Sequence, residues 1–209
     1  MIRYIKSICL FIIFLQAHAA FAQIKVSKVD KKSIPKSTSY KGYIINAVRF
    51  TDNEGDHLVI TTETGVSDTK GGEDGRDAEL YAYLYNMKGN EAQLNWQTYD
   101  FVKDCPVDLE AQYIPNTFAI TDLNKDGKAE VWLMYKTLCA GDISPGEMKI
   151  IMHEGSKKYA IRGQNKVRVV ENQYDGGKYI FDEAFKNGPI QFKNYAQELW
   201  KKNIWGPKN

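Results

Sequence analysis

Hydrophobic and polar residues alternate with a spacing of two along most of the chain, which is the pattern of β-strands. The alternation is clearest in residues 78–87, where one face of the predicted strand is aliphatic and the other is formed by tyrosines. The aliphatic face contains Leu80, Ala82 and Leu84, and the aromatic face contains Tyr81, Tyr83 and Tyr85. The next predicted strand, residues 93–99, is expected to place Leu94 and Trp96 on a shared face.

Seven further segments have the composition of strands and are separated by short turns rich in Asp, Asn and Gly. They are residues 43–50, 58–62, 117–121, 130–138, 147–153, 158–162 and 166–170. Because short turns join these strands and no helices alternate with them, we expect antiparallel pairing in one domain. The polar, glycine-rich residues 67–77 are predicted to form a loop. The predicted fold is therefore mainly β, an antiparallel sheet or meander.

One helix is predicted at the end of the chain, over residues 189–204. Pro189 suits the first helical position, and Gly206 with the following proline ends the helix. Its apolar stripe is formed by Phe192, Tyr195, Ala196 and Leu199. A stripe of this kind predicts a helix packed on a sheet.

The N-terminal residues have the order of a secretory signal peptide. Arg3 and Lys6 form a basic start, residues 8–15 are apolar, and small residues follow at the expected cleavage positions. We expect export to remove residues 1–22, which places the mature chain in the periplasm, at the cell surface or outside the cell. The alternative is an uncleaved anchor, but a spanning helix needs roughly 18 apolar residues and this stretch is shorter.

The lysine- and serine-rich residues 23–41 differ in composition from the rest of the mature chain. We expect them to form a mobile or edge-lying lead-in to a single domain, residues 42–209. No transmembrane segment is predicted in the mature chain.

Composition excludes disordered, collagenous and multi-span membrane proteins, and charge excludes some classes of partner. The chain is 43% hydrophobic and 26% charged, as is typical of a soluble globular domain. Without Arg3 and Lys6 the 28 Lys and Arg residues fall to 26, which equals the 26 Asp and Glu residues. A neutral mature chain gives no reason to expect nucleic acid or an anionic membrane as a partner.

Two cysteines remain after the predicted cleavage, Cys105 and Cys139. In an exported chain they most simply form one disulfide. The alternatives are two buried free thiols or a nucleophilic cysteine. The chain has no Cys-x-x-Cys motif, and nothing in the sequence places a histidine beside either thiol.

Residues 122–130, DLNKDGKAE, have the pattern D-x-N-x-D-G-x-x-E. In such a turn, side-chain oxygens at alternate positions point inward and the glycine permits a sharp bend, so that a hard cation can be wrapped. The pattern predicts a calcium site. The predicted ligands are the side chains of Asp122, Asn124, Asp126 and Glu130, with the backbone oxygen of Lys128.

The segment is not an EF-hand, because position twelve is Leu133 and both flanks are strand-like. It resembles the strand–loop–strand calcium turns of the FG-GAP and integrin-propeller repeats, whose pattern is close to D-x-N-x-D-G-x-x-D. Glu130 departs from the usual aspartate, and a single copy departs from a repeating family. The alternative is a metal-free hairpin, since Asp, Asn and Gly favour turns without an ion. Residues 52–56 imitate the spacing, but Gly55 is misplaced, so we predict a structural turn there.

A longer stretch, residues 43–170, resembles a small family of exported Bacteroidota-type proteins. The segments that carry the likeness are DAELYAYLYNMKG and FAITDLNKDGKAEVWLMYKTLCAGDISPGEMKIIMHEGSKKYAIRG. That family is labelled as linked to surface polysaccharide biosynthesis. The resemblance implies a cell-envelope setting and assigns no catalytic residue.

Motifs for catalysis are scarce in this sequence. It has no Gly-x-Ser-x-Gly elbow, no phosphate-binding loop and no His-Glu-x-x-His. The mature chain keeps two histidines, His57 and His153, and both are predicted to be structural. The cluster of Asp104, Asp108 and Glu110 is the candidate for glycoside cleavage by paired carboxylates.

The first functional prediction is an exported, non-enzymatic binding or accessory module that takes a glycan or an envelope protein as its partner. Exposed rings on a sheet face can stack on sugar rings, although core packing is the alternative for the same aromatic residues. The second prediction is a carbohydrate-active enzyme that uses the three carboxylates. The third is a secreted protein-binding or inhibitor module. The sequence leaves the oligomeric state open.

Overall fold

A computed structural model describes residues 24–70 and 74–207. The predicted signal, residues 1–22, lies outside the described residues. Antiparallel strands form two sheets that pack face to face, and helices cover the outer face of the second sheet. The prediction of a mainly β, antiparallel fold with a C-terminal helix is confirmed.

The first sheet has the spatial order β1–β2–β3–β5–β6, and the short β4 lies beside β5. Its strands are β1 (Lys25–Lys28), β2 (Tyr43–Asp52), β3 (Gly55–Glu63), β4 (Ser67–Asp68), β5 (Arg76–Lys88) and β6 (Glu91–Cys105). The two longest strands, β5 and β6, form one hairpin, so β6 is an edge strand that pairs with β5 alone among the described residues.

The second sheet has the order β14–β11–β10–β9–β7, and β8 also pairs with β9. Its strands are β7 (Asp108–Tyr113), β8 (Ala119–Thr121), β9 (Glu130–Ala140), β10 (Glu147–Glu154), β11 (Lys157–Gln164) and β14 (Tyr179–Phe181). A separate hairpin is formed by β12 (Lys166–Val170) and β13 (Gln173–Gly176).

The central core lies between the two sheets. The aliphatic face of β5 contributes Leu80, Ala82 and Leu84 to it, as the alternation predicts. Residues such as Leu133 of β9 and Ile151 of β10 pack against them from the second sheet. Fully burying one such side chain stabilises the fold by about 1.5–3 kcal/mol.

The lead-in covers the tyrosine face of β5. After β1 has paired with β2, the chain crosses the outer face of the first sheet, where Ile34 packs on the tyrosines. The Tyr85 hydroxyl donates to the Ser39 carbonyl, and the Lys41 N–H donates to the Tyr83 hydroxyl at 3.2 Å. The lead-in therefore lies at the edge along β1 and is held on the sheet face beyond it.

One face assignment from the sequence is wrong. Leu84 pairs with Trp96, but the next residue, Tyr85, pairs with Leu94, so Asn95 is an extra residue in β6. A bulge of this kind turns the strand by one position. Trp96 is therefore buried in the central core, whereas Leu94 is 49% exposed on the opposite face.

The outer face of the second sheet is covered by α1 (Glu183–Lys186) and α2 (Ile190–Lys202). The second helix lies within the predicted residues 189–204, and the one-turn helix before it was not predicted. Phe192 of α2 is buried against Trp132 and Tyr159 of the sheet, and Trp200 is buried against Tyr179 of β14. Among the described residues, no helix is both long and apolar enough to cross a membrane.

The predicted disulfide is confirmed. Cys105 at the end of β6 is bonded to Cys139 near the end of β9, with their Cα atoms 5.8 Å apart. The bond connects the edge strand of the first sheet to a central strand of the second. Cys105 is fully buried and Cys139 is exposed.

Candidate functional site: the acidic loop and an aromatic ladder

The predicted calcium loop connects β8 and β9 and is closed by its own carboxylates. Asp122 accepts hydrogen bonds from the backbone N–H groups of Asp126 and Gly127, at 3.1 and 3.2 Å. Asp126 accepts from the Lys128 N–H at 2.9 Å. Lys125 and Gly127 have φ values of 59° and 82°, which bend the chain sharply. The polar pattern therefore forms the tight turn that the sequence predicts.

Glu130 closes the loop from the protein interior. Its carboxylate is fully buried and accepts from the Leu123 N–H at 2.9 Å and from the Thr121 hydroxyl at 2.6 Å. Burial raises the pKa of Glu130, and these hydrogen bonds oppose that effect. The Asn124 amide donates to Glu154 of β10 at 2.8 Å. The loop is thus attached to two strands of the second sheet.

The turn between β2 and β3 docks onto this loop, a contact that no sequence pattern indicates. Asp52 accepts from the Ala129 N–H at 2.9 Å, and the Asn53 N–H donates to the Gly127 carbonyl at 2.9 Å. A Cβ added at Gly127 would lie 1.9 Å from the Asn53 amide nitrogen, so the approach requires glycine. Residues 52–56, which the sequence predicts to be a structural turn, therefore connect the first sheet to the acidic loop of the second sheet.

The side chains and carbonyls of this loop offer oxygen atoms, which are the ligands that calcium binds. Several of these oxygens already accept hydrogen bonds within the protein. Both Glu130 oxygens accept hydrogen bonds, and the Gly127 carbonyl accepts from the Asn53 N–H. Within residues 24–70 and 74–207, no group of three or more His, Cys, Asp or Glu side chains is arranged to hold a metal. Asp122, Asn124 and Asp126 are the predicted ligands at the mouth of the turn, and the calcium site stays a prediction.

A row of five aromatic rings crosses the outer face of the first sheet, and we call it the aromatic ladder. It is formed, in spatial order, by Tyr85, Tyr83, Tyr81, Tyr99 and Phe101. Successive ring centroids are 6.2, 5.8, 4.9 and 5.2 Å apart, and the planes of neighbouring rings differ by 11° to 28°. The lead-in covers the first three rings. The last two are 41% and 45% exposed.

Glu79 fixes the centre of the ladder. Its carboxylate accepts from the hydroxyls of Tyr81 and Tyr99, each at 3.0 Å, and forms an ion pair with Lys41. Burial alone would raise the pKa of Glu79, but the Lys41 ammonium and the two hydroxyls hold that pKa below its ordinary value. Burial and the Glu79 carboxylate raise the pKa of Tyr99 to about 12, so its hydroxyl stays a donor.

The candidate catalytic carboxylates have separate structural surroundings. Glu110 of β7 forms an ion pair with Lys136 at 2.8 Å. Asp104 has a φ of 50°, and its carboxylate lies so close to Gly75 that a Cβ there would be 1.9 Å from it. Asp108 is exposed at the start of β7. This arrangement gives no support to a pair of cooperating acids.

Both histidines lie in buried contacts, as predicted for structural residues. The His57 ring lies 3.0 Å from the Asp52 carboxylate and 3.1 Å from the Asn86 side-chain oxygen. The His153 ring stacks on Trp96 with 4.0 Å between ring centroids, and its Nε2 is 3.0 Å from the Thr98 hydroxyl.

A groove of about 620 Å³ lies between α2 and the turn that follows β7. Trp205, which is 46% exposed, forms part of its wall. This volume is within the range of small-molecule sites, about 300–1,000 Å³. Nothing in the sequence pattern marked Trp205, which follows the last turn of the helix.

Comparison with models of protein families, with curated proteins and with solved structures gives no match for this chain.

Proposed function

We propose that the mature chain is an exported, non-enzymatic binding module of the cell envelope that holds a glycan on the exposed end of the aromatic ladder. The observation that carries the proposal is the geometry of Tyr99 and Phe101. Both rings are exposed, and both continue the stack of buried tyrosines. Tyr99 is stacked between Tyr81 and Phe101, so the terminal Phe101 ring offers the aromatic face for the C–H face of a sugar, and Tyr99 adds its exposed edge and hydroxyl.

The fixed position of the rings favours binding because little side-chain freedom is lost when the ligand arrives. Tyr99 is held by its hydrogen bond to Glu79 and by its contact with Tyr81. Lys103 lies over the Phe101 ring, with Nζ 5.2 Å from the centroid. The Lys103 ammonium supplies a polar partner for sugar hydroxyls at the rim, while Glu79 stays engaged with Tyr81, Tyr99 and Lys41. The resemblance to exported proteins linked to surface polysaccharide supports the same setting.

The glycan proposal predicts that Tyr99→Ala and Phe101→Ala each weaken binding about tenfold. An aromatic stacking contact contributes about 0.5–1.5 kcal/mol beyond the area it buries, and 1.4 kcal/mol corresponds to tenfold in affinity. The ligand is first identified on a glycan array with the mature chain, and the dissociation constants are then measured by calorimetry.

Tyr43→Ala is the matched control, because Tyr43 is 73% exposed on the same sheet but does not belong to the ladder. The affinity of the Tyr43→Ala variant for the glycan should equal that of the unaltered chain. Trp205→Ala tests the groove beside α2. If Trp205→Ala abolishes binding while both ladder variants bind normally, the ladder is not the site. A mature chain that binds no glycan on the array contradicts the proposal altogether.

We also propose that the loop of residues 122–130 binds calcium weakly and thereby stabilises the fold. Asp122 and Asp126 supply charge and Asn124 a neutral oxygen, while the engaged Glu130 leaves the ligand set incomplete. Such a site belongs to the weak extracellular class, with a dissociation constant of about 10⁻⁴–10⁻³ M.

The expected result is a rise in the melting temperature when chelator is replaced by calcium. At 100 times the dissociation constant, calcium stabilises the native state by about 2.7 kcal/mol. Asp126→Ala should remove this gain while the calcium-free protein stays folded. Asp142→Ala, in the exposed turn after β9, should keep the gain. If the melts with millimolar calcium and with chelator coincide, the loop is a metal-free turn.

A further inference from the structure

We propose that two copies of this chain pair antiparallel through the free edges of their β6 strands, which joins the two first sheets into one. The edge is long, since β6 spans 15 residues and pairs with β5 alone among the described strands. The opposite edge of the same sheet is β1, which has only four residues. Sheets are usually protected at their edges, and a long unpaired edge with apolar side chains is a template for pairing.

Large apolar side chains are exposed along this edge. Leu94, Tyr99 and Phe101 are 49%, 41% and 45% exposed, and all three lie on the outer face of the first sheet. An antiparallel neighbour would cover part of each of them, because directly opposite side chains lie about 4.5–5.5 Å apart. The occupant therefore has to present apolar side chains at matching positions.

A second copy of the chain meets this requirement. In a twofold arrangement centred on Gln97, each Gln97 faces its own symmetry mate. The Asn95 bulge adds one residue to the part of β6 that precedes Gln97. Tyr99 of one copy therefore faces Leu94 of the second copy rather than Asn95. The symmetry makes this contact twice. By the same count, Phe101 faces Ala92, and the exposed apolar residues cover one another.

The charges along β6 agree with this register. Asp100 faces Gln93 of the second copy, and it is already neutralised by Lys149 at 2.7 Å. Lys103 lies opposite Asn90, and Val102 lies opposite Glu91, so the ends of the paired strands bring no two like charges together. No like charges face each other directly.

There is also room for the end of the partner's hairpin. A groove of about 310 Å³ lies beside Phe101 and Val102, and its other wall is formed by the ends of β9 and β10. The residues of the second copy that would enter it are Glu91 and Ala92 at the start of β6, next to the β5–β6 turn, which contains Gly89 with a φ of 62°. Tyr99 and Phe101 of both copies then lie on one continuous surface, each covered only on the side that faces the second copy.

The test is the oligomeric state of the mature chain, measured by sedimentation over a range of concentrations. A dimer is expected, and Leu94→Lys should raise its dissociation constant at least tenfold. Val169→Lys is the matched control, since Val169 is 45% exposed on β12, outside the proposed interface. Leu94 lies outside the proposed ring pair for glycan, so Leu94→Lys should still bind glycan.

The register is tested with single cysteines under mild oxidation. Gln97→Cys should form an intermolecular disulfide, because position 97 faces itself across the axis. Gln93→Cys should not, because position 93 faces Asp100. A chain that stays monomeric at its highest soluble concentration overturns the proposal, and the edge is then left to an extended peptide or to no partner. A dimer that Leu94→Lys leaves intact, or equal cross-linking of the two cysteine variants, overturns it as well.

Discussion

Removing the disulfide with Cys105→Ala and Cys139→Ser is expected to lower the free energy of unfolding by about 3–4 kcal/mol. The bond closes a loop with a sequence separation of 34 residues. Cross-linking a loop of this length removes about 3.8 kcal/mol of chain entropy from the unfolded state at 25 °C. Alanine is chosen at position 105 because that site is fully buried, whereas position 139 is exposed.

The position of the bond makes the effect large. Cys105 ends the edge strand of the first sheet and Cys139 lies on β9 of the second, so the loop contains β7 and β8 and most of β9. Urea unfolding of residues 23–209 measures the loss. The unaltered chain with a reductant should lose a similar amount, while the double variant should not respond to the reductant. Equal stability of the double variant and the oxidised chain would refute the prediction.

The alternation of residues was sufficient to predict the sheets and the two faces of β5. It was not sufficient to predict what covers the tyrosine face, because residues 29–41 have no periodicity and their lysines indicate a solvated segment. The contact depends on a few backbone groups, such as the Ser39 carbonyl that accepts from Tyr85. Single hydrogen bonds between distant segments leave no trace in a local pattern.

The bulge in β6 shows a second limit. One extra residue, Asn95, moves the side chains of the preceding β6 residues to the opposite face of the sheet. Nothing in the sequence distinguishes Asn95 from an ordinary strand residue. The sequence therefore placed Leu94 and Trp96 together. The exposure of Leu94, on which the dimer proposal partly rests, was visible only in the structure.

The acidic loop shows a third limit. Its turn chemistry could be predicted from residues 122–130, because Asp, Asn and Gly define the bend locally. Its contact with Asp52 and Asn53 joins positions more than 70 residues apart in the chain. The same residue types indicate a turn, a metal site or a loop contact, so their pattern alone does not distinguish among these roles.

Acid is expected to destabilise the protein through His153. This residue lies on β10, is 5% exposed and stacks on Trp96 of β6, so it belongs to the interface between the sheets. Its Nε2 lies 3.0 Å from the Thr98 hydroxyl, whereas its Nδ1 has no hydrogen-bond partner among the described residues. Burial, with a smaller contribution from Lys158, lowers the pKa of His153 to about 4.

The direction of the effect follows from linkage. An unfolded histidine has a pKa of about 6.5, so between this value and a folded pKa of about 4 the unfolded chain binds more protons. The neutral ring therefore contributes its full stability above about pH 6.5, and that contribution falls as the pH drops toward 4. By about pH 4.5 the loss amounts to about 2.5 kcal/mol. Glu63, Glu130 and Glu154, whose pKa values burial raises, titrate with the opposite sign.

His153→Gln separates the histidine from these carboxylates, because they are common to both proteins. The glutamine can keep the hydrogen bond to Thr98 and cannot take up the proton. The stability advantage of the unaltered chain over His153→Gln should therefore shrink by about 2.5 kcal/mol between about pH 7.5 and pH 4.5. Thr98→Val is the matched control, since it removes the partner and keeps the buried ring, so its pH dependence should follow that of the unaltered chain. Urea unfolding at a series of pH values, with the disulfide intact, makes the measurement. If the curves for the unaltered chain and His153→Gln run parallel, His153 is not the group whose protonation weakens the contact between the sheets.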